Sequence, residues 1–439
     1  MSAAMTNSAY LDSLLGGQAQ LAAAFSSPSL AWLNRLRANA LDRVGALTVP
    51  TTREEEWRFT DISPLTKRSF QPARTASSLA AADVARFYLE EASTRLVFVD
   101  GAHAPELSST GQDRTAVVTN LASAVAAHAA AIEPQLGRHA EINDNLFAAL
   151  NTAFLHDGAL IVVPRHARVA APVHLLFIAT QKDSASHPRC LVVAEPGSEV
   201  TIVEDFVTLQ DESYFTNAVT EIALADHAGV THVRIQRESD QAFHIANCSV
   251  SLEHASRYRS VGVALGARIS RCNLNVLLAA EGAECALDGL ALIAGSQLAD
   301  THTSIDHAKP YGVSRQLHKC IAGDAAHAVF NGKIMVRPGA QRTDSSQSSR
   351  NLLLTGKAHV DTKPQLEIFA DDVKCAHGAT VGQLDNEEVF YLKSRGLSDG
   401  AARDLLTYAF GAEIIDRIPI ASLKTRLERA VLERTAGKA

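Results

Sequence analysis

From residue 158 to about 380 the chain offers short apolar segments and turn signals, with almost no helix-length amphipathic stretch. Apolar runs fall at 160–163, 175–178, 191–194, 200–203, 222–224, 230–235, 261–265, 274–278, 290–293, 334–336, 352–354 and 366–369. Turn formers stand between them, among them Pro196-Gly197, Ala228-Gly229, Asn331-Gly332, Pro338-Gly339 and Lys363-Pro364. A βα alternation would need a crossover helix between most strands. Half of this chain must therefore build β layers directly.

Glycines at 197, 229, 266, 282, 339, 356 and 378 each open a polar/apolar alternation, at intervals of 32, 37, 16, 57, 17 and 22 residues. Several intervals lie near one or two times a unit of roughly 16–20 residues, the size expected for one coil of a parallel β-helix. A β-sandwich made from the same short strands would give much the same pattern, so both architectures stay open at this point. A solenoid adds one demand: its end coils expose strand edges that something must cover.

Helical sequence lies on both sides. Leu30, Leu33, Leu36, Ala40, Leu41 and Val44 recur on one helix face, with Pro28 and Ser29 as its start. Thr52 and Glu55 match a capping box ahead of Glu56-Trp57-Arg58-Phe59, and Pro64 limits that helix. A short strand is expected at 96–99, then helices at 121–132 and 144–155. At the other end, Asp385 and Glu388 cap a helix that Gly396 closes. Ser398 starts a second, carrying Ala402, Leu405, Leu406 and Ala409, and a third follows Pro419 with Ile420, Leu423, Leu427 and Val431. This helical module either caps the β core or presents a face to a partner.

At 439 residues the chain is long enough to bury a large core without staples. Its 41 Lys+Arg against 48 Asp+Glu exclude a generally basic binder of nucleic acid or anionic membranes. The N-terminus has no basic run followed by an apolar one, and no stretch approaches a membrane span. Six cysteines at 190, 248, 272, 285, 320 and 375 form no C-x-x-C pair, which removes zinc ribbons, ferredoxin-type runs and thioredoxin-like sites. A reducing cytoplasm, with most of the thiols as small buried hydrophobes, is the expected setting. All 17 histidines lie between His103 and His377, an excess without an obvious cause.

No phosphate loop, dinucleotide fingerprint, nucleophile elbow or H-E-x-x-H motif occurs. His302, Asp306 and His307 read as surface and turn polarity, as do Glu253, His254 and Tyr258. The most concentrated feature is Asp371-Asp372-Val373-Lys374-Cys375-Ala376-His377-Gly378. On a strand, Cys375 and His377 project to one face, and thiolate with imidazole suits a soft or borderline transition metal. The aspartates would disfavour the thiolate and Lys374 would favour it. Two ligands make half a site, so a second strand or a second subunit must complete it. Three classes remain on these grounds: an assembly scaffold sharing a metal site with a partner, a β-helical carbohydrate-active enzyme, and a structural interaction module. The enzyme would want carboxylates and aromatics along one exposed face, whereas aromatics make up 5% of this chain and its carboxylates are scattered.

The block D-D-V-K-C-A-H-G-A-T over 371–380, with 351–359 and 361–370 before it and 381–385 after it, resembles the signature of the SufB/SufD family, scaffold subunits of the SUF iron–sulfur cluster assembly system. Glu55-Glu56-Trp57-Arg58-Phe59-Thr60 resembles the family's N-terminal element, and Arg395-Gly396-Leu397, Ala401, Leu405-Leu406 and Ala409-Phe410 its C-terminal helices. The chain is most similar to the SufD branch, because Gln365-Leu366-Glu367 stands where SufB carries an essential cysteine.

The resemblance implies a mainly β protein: a right-handed parallel β-helix at 156–382 between a mostly helical region at 1–155 and a helical domain at 383–439. It implies a non-catalytic subunit that pairs end to end with SufB, or with itself when isolated. A SufC ATPase would bind its C-terminal helices. Nucleic acid and membrane would have no part. No cofactor would be permanently bound; a nascent iron–sulfur cluster or iron would sit transiently at the junction. There His377 is the implied ligand or positioning group and the implied iron ligand, with Cys375 beside it as a second candidate.

Overall fold

The computed structural model describes residues 10, 15, 30–73, 79–111 and 114–435. Two long sheets face each other across a narrow lumen. One contains Gly158–Val163, Arg189–Ala194, Phe215–Leu224, Phe243–Leu252, Ile269–Leu278, Leu298–His307, His327–Val336 and His359–Ile368 in that spatial order. The other contains Thr94–Val99, Val173–Ala179, Glu199–Thr208, Gly229–Arg237, Arg257–Ala264, Glu284–Ile293, Val313–Ala322, Asp344–Leu353 and Lys374–Gly382. Neighbours within each of these runs are parallel, and the chain alternates between the sheets. This is a parallel β-solenoid, and the sandwich alternative falls.

The coil is larger than the glycine spacing predicts. Register pairs Phe215 with Phe243, Ile269, Leu298, His327 and His359 in successive coils, so one coil advances by 26–32 residues, not 16–20. Each coil holds two strands of up to ten residues and two turns. One turn repeats as a ladder of left-handed residues: His166, Gly197, His227, Ala255, Gly282, Tyr311 and Arg342 all have φ between 52° and 69°. Each donates its amide into the next coil, as from Gly197 to Asp226, His227 to His254 and Ala255 to Glu281. Only two of these seven are glycines, so glycine marks the period incompletely.

Both outer faces are covered. Phe215, Phe243, Ile245 and Ile269 project from the first sheet onto Phe70, Phe147, Phe154 and the helices Ala31–Ala46 and Leu146–Ala153. Val233, Ile235, Val261, Val263, Leu290 and Leu292 project from the second onto Ile414, Ile415, Leu423 and Leu427 of the C-terminal helices Asp399–Ile415 and Ala421–Thr435 and onto Ile418 between them. The C-terminal module thus lies along a side of the solenoid and does not close an end. It leaves Leu405 and Ala409 of the apolar set exposed.

The caps at Asp385 and Ser398 form as predicted, accepting from the Glu387 and Ala401 amides. Two expectations change. The helix at 121–132 breaks at His128 into Leu121–Ala127 and Ala129–Ile132. The capping pair lies one residue earlier, with Glu54 accepting from the Thr51 amide at 3.0 Å, and only the single turn Glu55–Trp57 follows. The start at Pro28 and Ser29 lies outside the described residues.

The two ends of the solenoid differ. At the first coil, Val117–Asn120 runs antiparallel to Gly158–Val163, and Ala102–His103 runs antiparallel to Thr94–Val99. A buried ion pair pins this end: Arg189 meets Glu221 at 2.5 Å, and Glu221 also accepts from the Gly137, His139 and Ala140 amides. At the last coil, among the described residues, no strand follows His359–Ile368 or Lys374–Gly382 in its sheet.

Candidate functional site

The last coil is where the burial pattern breaks. Strands before it are largely buried, whereas His359–Ile368 is half-buried and Lys374–Gly382 is exposed along nearly its whole length. A strand edge with unpaired N–H and C=O groups is a template for another strand. Ile368, Phe369 and Val381 add exposed apolar surface to the same end.

Cys375 and His377 both lie on this edge strand, two residues apart and therefore on one face. Cys375 is half-buried against the apolar lining of the lumen, stacked over Ser345 in register. Burial raises its thiol, and Asp344 raises it further, against a backbone hydrogen bond at Ser345 that lowers it. Lys374 does not offset these effects, so the thiol stays protonated at neutral pH. His377 is exposed and pairs in register with Gln347. Below it a line of amides enters the lumen: Gln347 donates to Gln316, and Gln316 to Thr303, each at 2.8 Å.

The aspartates of the same motif act elsewhere. Asp371 accepts from the Gln341 side chain at 2.7 Å, and the Asp372 amide donates back to Gln341 at 2.9 Å. They lock the turn leading into the edge strand.

The cluster around residue 302 is a strand, Leu298–His307, and not a turn. Strand alternation separates its candidates. His302 points outward to Asp300 at 3.0 Å, Asp306 points outward to Arg337, and His307 points inward to the Ser314 hydroxyl at 3.0 Å. Likewise His254 sits at a turn against His227, while Tyr258 is buried in the lumen.

Sequence reasoning missed the polar lumen altogether. Glu204 meets His232 at 3.2 Å and accepts from Thr220, and His232 Nδ1 bonds the Tyr258 hydroxyl at 2.9 Å. Burial alone would raise the Glu204 carboxyl, but His232, Thr220 and Arg234 bring it down to about 2. Arg234 lies half-buried beside the Cys248 and Cys272 thiols, and these groups border a cavity of about 60 Å³. Three of the 17 histidines are accounted for here: His174, His232 and His244 each face a buried carboxylate.

Two family models together span most of the chain. One describes the SufBD protein N-terminal region and matches residues 11–175; the other describes the SUF system FeS cluster assembly SufBD core domain and matches 177–410. The chain belongs to the SufB/SufD family of iron–sulfur cluster assembly scaffolds. An iron–sulfur cluster assembly SufBD family protein of Synechocystis is 43% identical over 412 residues, covering 91% of this chain and 90% of the relative. The iron–sulfur cluster assembly protein SufD of Escherichia coli is 34% identical over 89% of this chain and 90% of its own length. Its Bacillus subtilis namesake is 28% identical over 92% and 94%. The family's proteins are scaffolds, not catalysts.

The SufB/SufD element at Glu55–Thr60 has a structural task in this fold. It straps the N-terminal region across the outer face of the first sheet. Trp57 lies over the Arg271 guanidinium at 3.9 Å, and the Glu56 carbonyl accepts from Arg271 at 2.9 Å. The Glu56 carboxylate meets His302 at 3.2 Å, Thr60 donates to Asp300 and Glu55 meets Lys363. Among the described residues no helix is long and apolar enough to cross a membrane.

Proposed function

We propose that this chain is a SufD-type scaffold subunit whose last coil joins end to end with a SufB-type subunit, and that a nascent iron–sulfur cluster forms at that junction. The observation that carries the reading is the open edge of Lys374–Gly382, which holds Cys375 and His377 on the last coil, where among the described residues no further strand follows. Strand addition to an open sheet edge supplies main-chain hydrogen bonds along the whole contact. His377, exposed on the edge strand, offers an imidazole ligand or positioning group; the partner supplies the thiolate. The inward position on the penultimate strand is Leu366, packed on the lumen lining, so this strand brings no thiolate of its own. Cys375, protonated and half-buried, serves as packing that sets the edge strand's position.

The cluster or its iron is cargo passing through, and ATP hydrolysis belongs to a SufC-type partner. That partner would dock on the C-terminal helical domain at 383–439, where Phe390, Tyr391 and Leu405 are exposed. The solenoid at 156–382 and the N-terminal region at 1–155 complete the proposed division. In the absence of SufB, the same edge would pair two copies of this chain. We assign the protein to the cytoplasm.

The test replaces His377 with Ala and measures iron and sulfide incorporated by a purified complex of unchanged stoichiometry. Loss of cluster with the complex intact supports the reading. Undiminished formation reduces the open edge to a docking surface and refutes the ligand role.

A further inference from the structure

A second group of side chains lies on the outer face of the same end, away from the inward face that carries Cys375 and His377. His327 opens the strand His327–Val336, His359 opens the strand His359–Ile368, and the two are register partners. Asp361 follows His359 by two residues and therefore shares its face. Nε2 of His327 stands 2.8 Å from Asp361 Oδ2, and Nε2 of His359 stands 3.1 Å from the same oxygen. The rings lie 5.0 Å apart, and all three donor atoms fall within 4.8 Å of one another.

We propose that His327, His359 and Asp361 form a binding site for one first-row divalent transition-metal ion, such as zinc, cobalt or ferrous iron. Ligands about 2.0–2.2 Å from a common ion stand roughly 3–3.5 Å apart, close to the two separations from Asp361 already present. An ion entering between them would displace the two imidazole protons directed at Asp361, with no movement of the strands. Two imidazoles and a carboxylate suit zinc and ferrous iron, and three protein ligands leave coordination positions open. The surroundings agree. His327 and Asp361 are about one-quarter exposed and His359 is 64% exposed, so an ion has a path in and water can complete its shell. The nearest cations on this face are already neutralised, Lys363 by Glu55 and Lys333 by Glu367. Rigid paired strands hold the ligands, which lowers the ordering cost of binding.

The experiment titrates the full chain with Co²⁺ and follows its visible d–d absorption, with Zn²⁺ as competitor. One ion per chain should bind with a spectrum of nitrogen and oxygen ligation, displaced by Zn²⁺. His359→Gln and Asp361→Asn, both at solvent-accessible positions, should each weaken binding about 100-fold or more, given that loss of an outer-shell partner alone costs about 10–100-fold. The double variant Cys375→Ser/His377→Ala should bind as the parent does, which separates this site from the proposed junction. Absence of a one-ion transition, or its survival in both ligand variants, or its loss in the Cys375/His377 variant, would overturn the assignment.

Discussion

Replacing Arg271 with Met tests whether the Glu55–Thr60 strap is held by charge as well as by packing. The Arg271 side chain is only 3% exposed, and it contacts Asp300 at 2.5 Å, Asn273 at 3.1 Å, the Glu56 carbonyl and the Trp57 ring. Asp300 is fully buried; burial would raise its carboxyl, but Arg271, His302 and Thr60 hold it at about 2. Removing one member of a buried ion pair costs about 3–5 kcal/mol, because the other charge stays buried. His302 and Thr60 remain on Asp300, so the lower end applies, about 3 kcal/mol. Loss of the contact with Trp57 adds about 1 kcal/mol. Methionine keeps most of the apolar volume, so the total should be about 3–4 kcal/mol.

The chain has two tryptophans, Trp32 and Trp57. In a Trp32→Phe background, urea unfolding followed by fluorescence therefore reports the strap itself. The midpoint should fall, and the native emission of Trp57 should change. Adding Asp300→Asn should restore much of the loss, since no buried charge is then left unpaired. A change below about 1 kcal/mol, or a double variant as unstable as the sum of its parts, would refute the electrostatic account.

Two further outcomes are expected. Burial holds His187, His307 and His318 at about 4, below the ordinary histidine value near 6.5. The unfolded chain therefore takes up protons first as pH falls through the window from about 6.5 to 4. Each should withdraw about 2 kcal/mol of stability between pH 7 and 5, partly offset by His302, whose imidazole Asp300 and Glu56 hold high despite burial. Thermal midpoints at pH 7, 6 and 5 check this, and a flat profile would refute it. A thiol reagent at pH 7 should label one cysteine per native chain, slowly, and Cys375→Ser should abolish that phase, because the other five thiols are buried; faster labelling of several would contradict the packing.

The sequence discloses the β core wherever apolar residues mark a strand and hides it wherever the lumen is polar. Leu298–His307 escapes notice because its inward positions include Thr301, Thr303 and His307, and its outward positions Asp300 and His302 answer to the strap. No hydrophobic period survives in such a strand. Phe243–Leu252 and Val313–Ala322 are lost for the same reason, with His244, Gln316 and His318 directed inward. The coil length is illegible because the left-handed turn position tolerates His, Ala, Tyr and Arg, held there by the amide ladder between coils. The block at 371–380 is conspicuous as a string, yet its residues divide into a turn lock, a packing thiol and an exposed imidazole. Contacts with Gln341, thirty residues upstream of Asp371, decide that division, and no local spacing encodes it.

The asymmetry between the two ends limits what this fold can assemble into. Antiparallel strands of only two and four residues end the first coil in the two sheets, and helices cover both outer faces, so that end offers only short ladders. The last coil presents the long edges, His359–Ile368 and Lys374–Gly382, side by side, the second exposed along nearly its whole length. A solenoid with two open ends would stack head to tail into a filament; one with a single open end closes after one contact. Ten-residue edges without charge clusters or proline blocks invite aggregation unless a partner takes them. Here Pro364 interrupts the penultimate strand, while Lys374–Gly382 carries Lys374 at its start and no proline. The last strand is thus the less protected of the two, and it is the one that bears Cys375 and His377. Pairing along it would bring a partner's terminal strand beside His377 and cover the lumen mouth in the same step, so docking and completion of a ligand set become one event.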